Sequence, residues 1–170
     1  MSDGKFSLNN DLAERDHRLI KELMNEFHDS LFKKHPEIHG KVVIDDHAII
    51  EIVERVHAKK YYYSVFHNIR MGKVAENKTI GLFIYWILKL RPIQSAIRIK
   101  EYDLNELFAR FIFNKALKLY EGDDFAYDDY MMGYFDEVTY SFKYRELSKE
   151  SIILMLEYSF HKYRKRTEHT

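Results

Sequence analysis

The chain has no cysteine. Disulfides, thiolate metal sites, cysteine nucleophiles and thiol redox switching are excluded with it. Proline and glycine are scarce as well, at two and six of 170 residues. That leaves little turn punctuation for many short strands and favours long helices over a sandwich or barrel. Long hydrophobic runs are missing too. The longest, IGLFIYWIL at 80–88, falls short of the roughly 20 residues that span a bilayer. The opening MSDGKFSLNNDLAERD is polar and holds no apolar core for a signal peptide. Charge of one sign is also lacking, because 27 Lys and Arg balance 27 Asp and Glu. No global field points to nucleic acid or membrane. Together these absences lead to the expectation of a soluble, cytoplasmic protein with no membrane partner.

What is present is an apolar fraction of 46% with twelve Phe and thirteen Tyr, enough to build a core. One all-α domain over 1–170 is expected, a bundle of about five to six helices around a central apolar helix at 79–90, with 1–9 and 165–170 frayed. The first helix carries Leu19, Ile20, Leu23, Met24, Phe27 and Leu31 at spacings of three and four. Asn10 or Asp11 is placed to cap it, and it must end before Pro36. Asp45 or Asp46 caps a second helix with Ile49, Ile50, Val53 and Val56 inward, read as continuing through KKYYYSVF to near Gly72.

The third helix stops at Pro92. Asp103 and Glu106 then form a capping-box pattern ahead of Leu104, Phe108, Phe111 and Ile112, with Gly122 as the stop. Ser148 caps the last helix, whose inner face is Ile152, Met155, Leu156, Ser159 and Phe160. Two segments also admit minor β structure, 41–44 (KVVI) and 138–144. In the second, Val138, Tyr140, Phe142 and Tyr144 alternate as in a strand, while Phe135, Val138 and Phe142 fit a helical face. A helix is expected there, since a lone strand has no evident partner beyond KVVI.

Nine histidines raise the question of a metal. The set that comes nearest is His47, Glu51, Glu54 and His57 on the second helix. Glu54 and His57 have the Glu-x-x-His spacing of di-metal carboxylate bundles. At about 100° per residue, Glu51 lies about 40° and Glu54 about 20° to either side of His47. Ile49, Val53 and Val56 occupy the opposite side, so this face is expected to meet water. Glu14 with His17 repeats the spacing, again away from its apolar stripe.

The acidic residues Asp123, Asp124, Asp128, Asp129, Asp136 and Glu137 suit hard cations in type. They lack the glycine and the closing glutamate of an EF-hand loop, and acids ahead of a helix also complement its dipole. Gly72-Lys73 lacks the rest of a phosphate loop, and no Gly-x-Ser-x-Gly elbow occurs. No motif implies a cofactor.

Lys59, Lys60, Arg98 and Lys100 are the candidate nucleic-acid contacts: the first two adjoin Tyr61, Tyr62 and Tyr63, as stacking grooves require, and the last two belong to a basic run at 89–100 that also holds Lys89 and Arg91 and no acid. Arg164 and His169 share the Arg-then-His spacing of small helical ribonucleases of the HEPN type. That likeness covers six residues, and Lys165 stands where those proteins carry an apolar residue, so no membership follows from it. The inventory as a whole leads to a non-catalytic interaction or accessory protein, with a protein partner or a second copy of itself. Exposed aromatics from YYY, FAYDDYMMGYF or FKY would form its surface. A nucleic-acid-binding or metal-dependent helical module is the alternative.

Overall fold

A computed structural model describes the backbone of residues 3–57, 77–121 and 129–168, and the side chains of 14–56, 80–116 and 135–159. Its described helices are α1 (Asp3–Lys34), α2 (Asp46–His57), α3 (Asn77–Leu90), α4 (Leu104–Glu121), α5 (Asp129–Tyr144) and α6 (Lys149–Glu168). Four two-residue strands accompany them: β1 (Val43–Ile44), β2 (Ile93–Gln94), β3 (Arg98–Ile99) and β4 (Tyr102–Asp103). The chain is mostly helical, as its composition implies.

Helix α1 buries Leu19, Ile20, Leu23, Met24 and Phe27, the stripe that its spacing marks. It ends at Lys34, and a 3-10 turn at Pro36–Ile38 follows. Ile38 is fully buried and pins that turn, while Gly40 takes a left-handed φ of 72° that lets the chain reverse. At its other end the helix begins at Asp3, so Asn10 and Asp11 are interior residues and not caps. Once a helix is nucleated by its packed turns, each added residue changes the free energy by only a few tenths of a kcal/mol. The same holds at the far end. The backbone is helical over 3–9 and 165–168.

Asp45 Oδ1 accepts the amides of His47 and Ala48 at 3.0 and 3.3 Å, which starts α2. The helix buries Ile49, Ile52, Val53 and Val56. Ile50, expected inside, is 45% exposed, and Ile52 fills that place. The expected continuation through 61–66 to Gly72 lies outside the described residues, as does Gly122.

Helix α3 is the middle of the bundle, packing on α2, α4 and α6 and burying seven large apolar residues from Ile80 to Leu88. Gly81 permits the closest approach. A Cβ there would stand 3.4 Å from Leu156 Cβ and 3.5 Å from the Ile153 carbonyl of α6. Pro92 stops the helix, and Arg91 just before it adopts a φ of 52°.

Beyond that turn, β2 pairs antiparallel with β1, Ile44 opposite Ile93 and Val43 opposite Gln94. Thus KVVI does hold a strand. Its partner was hidden because two residues beside a proline give no periodicity. Hairpin β3–β4 pairs Arg98 with Asp103 and Ile99 with Tyr102. No turn motif marks it, because Lys100 takes the positive φ (57°) that turn chemistry leads one to expect of Gly or Asn.

The alternation at 138–144 does not make a strand. These residues are helical in α5, with Phe135 and Val138 buried and Tyr140 and Tyr144 outward. Thr139 Oγ1 donates to the Phe135 carbonyl at 3.0 Å, one turn back. Ser148 Oγ accepts the Ser151 amide at 3.1 Å and so caps α6.

Candidate interaction surface

Of the candidate metal ligands on α2, His47, Glu51 and Glu54 lie along its outward side. His47 and Glu54 are exposed, and Glu51 accepts a hydrogen bond from Arg55 Nη2 at 3.3 Å. The side chain of His57 lies outside the described residues. Among the described residues no three His, Asp or Glu side chains gather as metal ligands would. His17 Nε2 sits 3.8 Å from Asp46 Oδ1, whose closer partner is Lys21 Nζ at 2.8 Å. The hydrogen bond from Lys21 holds the Asp46 carboxyl below its usual range.

Of the four candidate nucleic-acid contacts, Lys59 and Lys60 lie outside the described residues. Arg98 and Lys100 belong to the β3–β4 hairpin, where both are exposed. Arg98 Nη2 donates to the Glu101 carbonyl at 2.6 Å, fastening that side chain across its own turn. Arg91, from the same basic run, is committed to Asp103 Oδ2 at 2.6 Å.

The best-formed polar cluster is one that periodicity could not show. Asp103 caps α4 by accepting the Glu106 amide at 2.9 Å, as a capping box requires. The Glu106 carboxylate does not reach back in return. It is 3% exposed, and Lys143 of α5 brings its ammonium to 2.9 Å from Oε1. Burial pushes the Glu106 carboxyl up, with Lys143 opposing and the neighbouring Asp103 adding to the rise. For Asp103 burial acts in the same sense, but the Glu106 amide and the Arg91 guanidinium outweigh it and hold that carboxyl low.

Two carboxyls with proton affinities moved apart are what acid–base chemistry uses. These two are 7% and 3% exposed, and neither lines the described cleft. Next to them, Asp136 of α5 accepts from Tyr102 Oη at 3.2 Å and from Arg110 Nη1 at 3.1 Å. The arrangement is a polar seam that fastens α5 onto α4.

That cleft holds about 210 Å³ between α1, the Pro36–Ile38 turn, the β1–β2 pair and α4. Its lining is apolar apart from Asn25 and His28, and it is smaller than the roughly 300 Å³ at which ligand pockets begin.

With α5 pinned by its inner polar groups, its outer face is left to solvent. Tyr140 is 53% and Tyr144 68% exposed, and α6 with its preceding loop adds Leu147, Leu154 and Tyr158 at 43%, 62% and 52%. The rings of Tyr140 and Tyr144 lie 5.0 Å apart, one helical turn from each other. Arg145 stands over Tyr140 at 5.6 Å, and Lys143 over Tyr144 at 5.8 Å. Within the FKY run, Tyr144 is thus outward, while Phe142 turns inward against Tyr85 at 5.8 Å. A second cationic layer lies on α3, where Arg55 and Lys149 approach the Trp86 ring at 5.2 and 5.7 Å.

No protein-family model, curated protein or solved structure matches this chain.

Proposed function

We propose that the chain is a non-catalytic interaction protein, and that its contact surface is the outer face of α5 together with the start of α6. The observation that carries this is the Tyr140–Tyr144 pair. Two aromatic rings are held in mutual contact, each beside a cation, and more than half of each side chain stays in water. Tyr is enriched at interface hot spots because it brings large contact area at little rotamer cost. Supporting it, the Asp103 and Glu106 carboxyls are sealed from solvent and the described cleft is small and apolar.

Site-specific photo-crosslinking in producing cells tests the proposal, with the photoreactive residue placed at position 144 and, as a control, at position 98. Protein adducts at 144 exceeding those at 98, self-adducts included, are expected. Free chain alone at 144, or adducts to nucleic acid in place of protein, would overturn it.

A further inference from the structure

The helices are not held alike. Between Ile80 and Leu88, α3 buries seven large apolar side chains in a run without Ser, Thr or acid. Helix α6 is seated on it by the close approach at Gly81. Helix α5 packs chiefly on α6 and has a thinner edge on α4. Over 135–144 it buries four side chains, Phe135, Val138, Thr139 and Ser141, and two of these are polar. Thr139 uses its hydroxyl within its own helix. Ser141 Oγ is wholly buried and has no hydrogen-bond partner among the described residues.

The α4 side of the joint repeats the pattern. Both Glu106 oxygens are buried without a well-aligned donor, and Lys143 Nζ stands 2.9 Å from Oε1 as countercharge. With α5 closed, three polar oxygens at or beneath it are thus shut away from water. An unpaired buried polar group costs about as much as a buried Val or Leu side chain contributes. Set against Phe135, Val138 and the inward ring of Phe142, these three oxygens leave α5 a small net gain from docking. The Asp136 bonds add little that water cannot replace, since that side chain is 39% exposed. Opening gives each oxygen a water and frees Lys143.

From these observations we infer that α5 is a detachable cover, which lifts as one cooperative unit while α1, α2, α3, α4 and α6 stay assembled. The residues that join it to α6, 145–148, are all exposed, so nothing buried has to break at that hinge. Lifting uncovers the sides of the Phe113 and Tyr85 rings that Phe135 and Phe142 occupy at 5.2 and 5.8 Å. The chain therefore has a second state, with an apolar seat open on its body. This opening is separate from the contact proposed for the outer face of α5 and needs no partner.

Native-state hydrogen exchange of the full chain, read residue by residue in low urea, tests the cover. Amides 139–143 should share one protection factor, about tenfold or more below that of amides 84–88. Their dependence on urea should be shallower, since lifting one helix exposes less surface than global unfolding. Ile52→Val separates the two openings, because Ile52 is wholly buried on α2, which packs on α1 and α3. In that variant protection at 84–88 should fall about threefold to tenfold, while that at 139–143 stays within about twofold. Equal protection and equal urea slopes in the two helices would overturn the cover, as would an equal loss in both on Ile52→Val. Protection that decays stepwise from residue 144, with no shared value, would make the motion fraying and overturn the single unit.

Discussion

Lys143, near the end of α5, places its ammonium 2.9 Å from a Glu106 carboxylate that is almost wholly removed from solvent. Neither carboxylate oxygen has a well-aligned hydrogen-bond donor among the described residues, so Lys143 serves as its countercharge. Removing the lysine therefore leaves a buried group that must either stay charged without a countercharge or take up a proton. Lys143→Met should lower stability at neutral pH by about 1–3 kcal/mol. Adding Glu106→Gln to it should return part of that loss. Urea unfolding of the single and double variants checks this, and equal midpoints for the two would contradict it.

The carboxyls of Asp103 and Glu106 give stability two opposite dependences on pH. Asp103 is held low, so its contribution is complete above its ordinary value of 3.8 and is lost as pH falls toward its depressed value in the folded chain. Glu106 is pushed up, so stability declines as pH rises from its ordinary 4.5 toward its raised folded value. From this pair alone stability peaks close to the two ordinary values. Glu106→Gln should remove the decline on the alkaline side and leave the acid-side loss in place. Unfolding midpoints across a pH series would show a flattened alkaline limb, and an unchanged limb would refute the assignment.

Asn105 occupies the place of a missing strand. Its side-chain amide donates to the Ile93 carbonyl and its oxygen accepts the Ile93 amide, both at 2.8 Å and both buried. Asn105→Leu strands two backbone groups away from water, at about 1–3 kcal/mol each. We expect a loss of at least about 2 kcal/mol and faster hydrogen exchange at the Ile93 amide. Unaltered exchange there would mean that the backbone finds other partners.

Arg91 and Lys100 share a left-handed backbone but differ in what their side chains do. Lys100 is exposed at a hairpin tip, so Lys100→Gly relieves strain and should stabilise by about 1 kcal/mol. Arg91→Gly relieves the same strain but removes the guanidinium that keeps Asp103 ionised. It should be neutral or destabilising, and its acid-side loss of stability should shift toward higher pH. Thermal melts of the two variants moving in the same direction would sink the distinction.

Features that depend on a few neighbouring residues were legible in the sequence. Asp45, Asp103 and Ser148 all cap the helices they precede, and Pro36 and Pro92 lie just past helix ends. The central place of α3 followed from its apolar circumference. What escaped depends on residues far apart in the chain. Ile52 displaces Ile50 because the neighbours of α2 set its rotation, and its own periodicity leaves that angle loose. The helical state of 138–144 was decided by packing, since its alternation fits either period. Glu106 looked like half of a local capping box, yet its countercharge comes from α5, and nothing in the sequence around it names Lys143. The candidate surface was half legible. The FKY run is visible in the sequence, but only the fold shows which of its rings turn outward.

Trp86 is the chain's one tryptophan, and its indole Nε1 is buried while Arg55 of α2 and Lys149 of α6 stand over its ring. The molecule thus carries its own optical probe at a junction of three helices. Two cations beside the ring concentrate iodide near it and keep caesium away. Quenching of the native emission should be stronger with iodide than with caesium, and unfolding should erase the difference. A single fluorescence trace would then report whether α2, α3 and α6 are assembled, without any label.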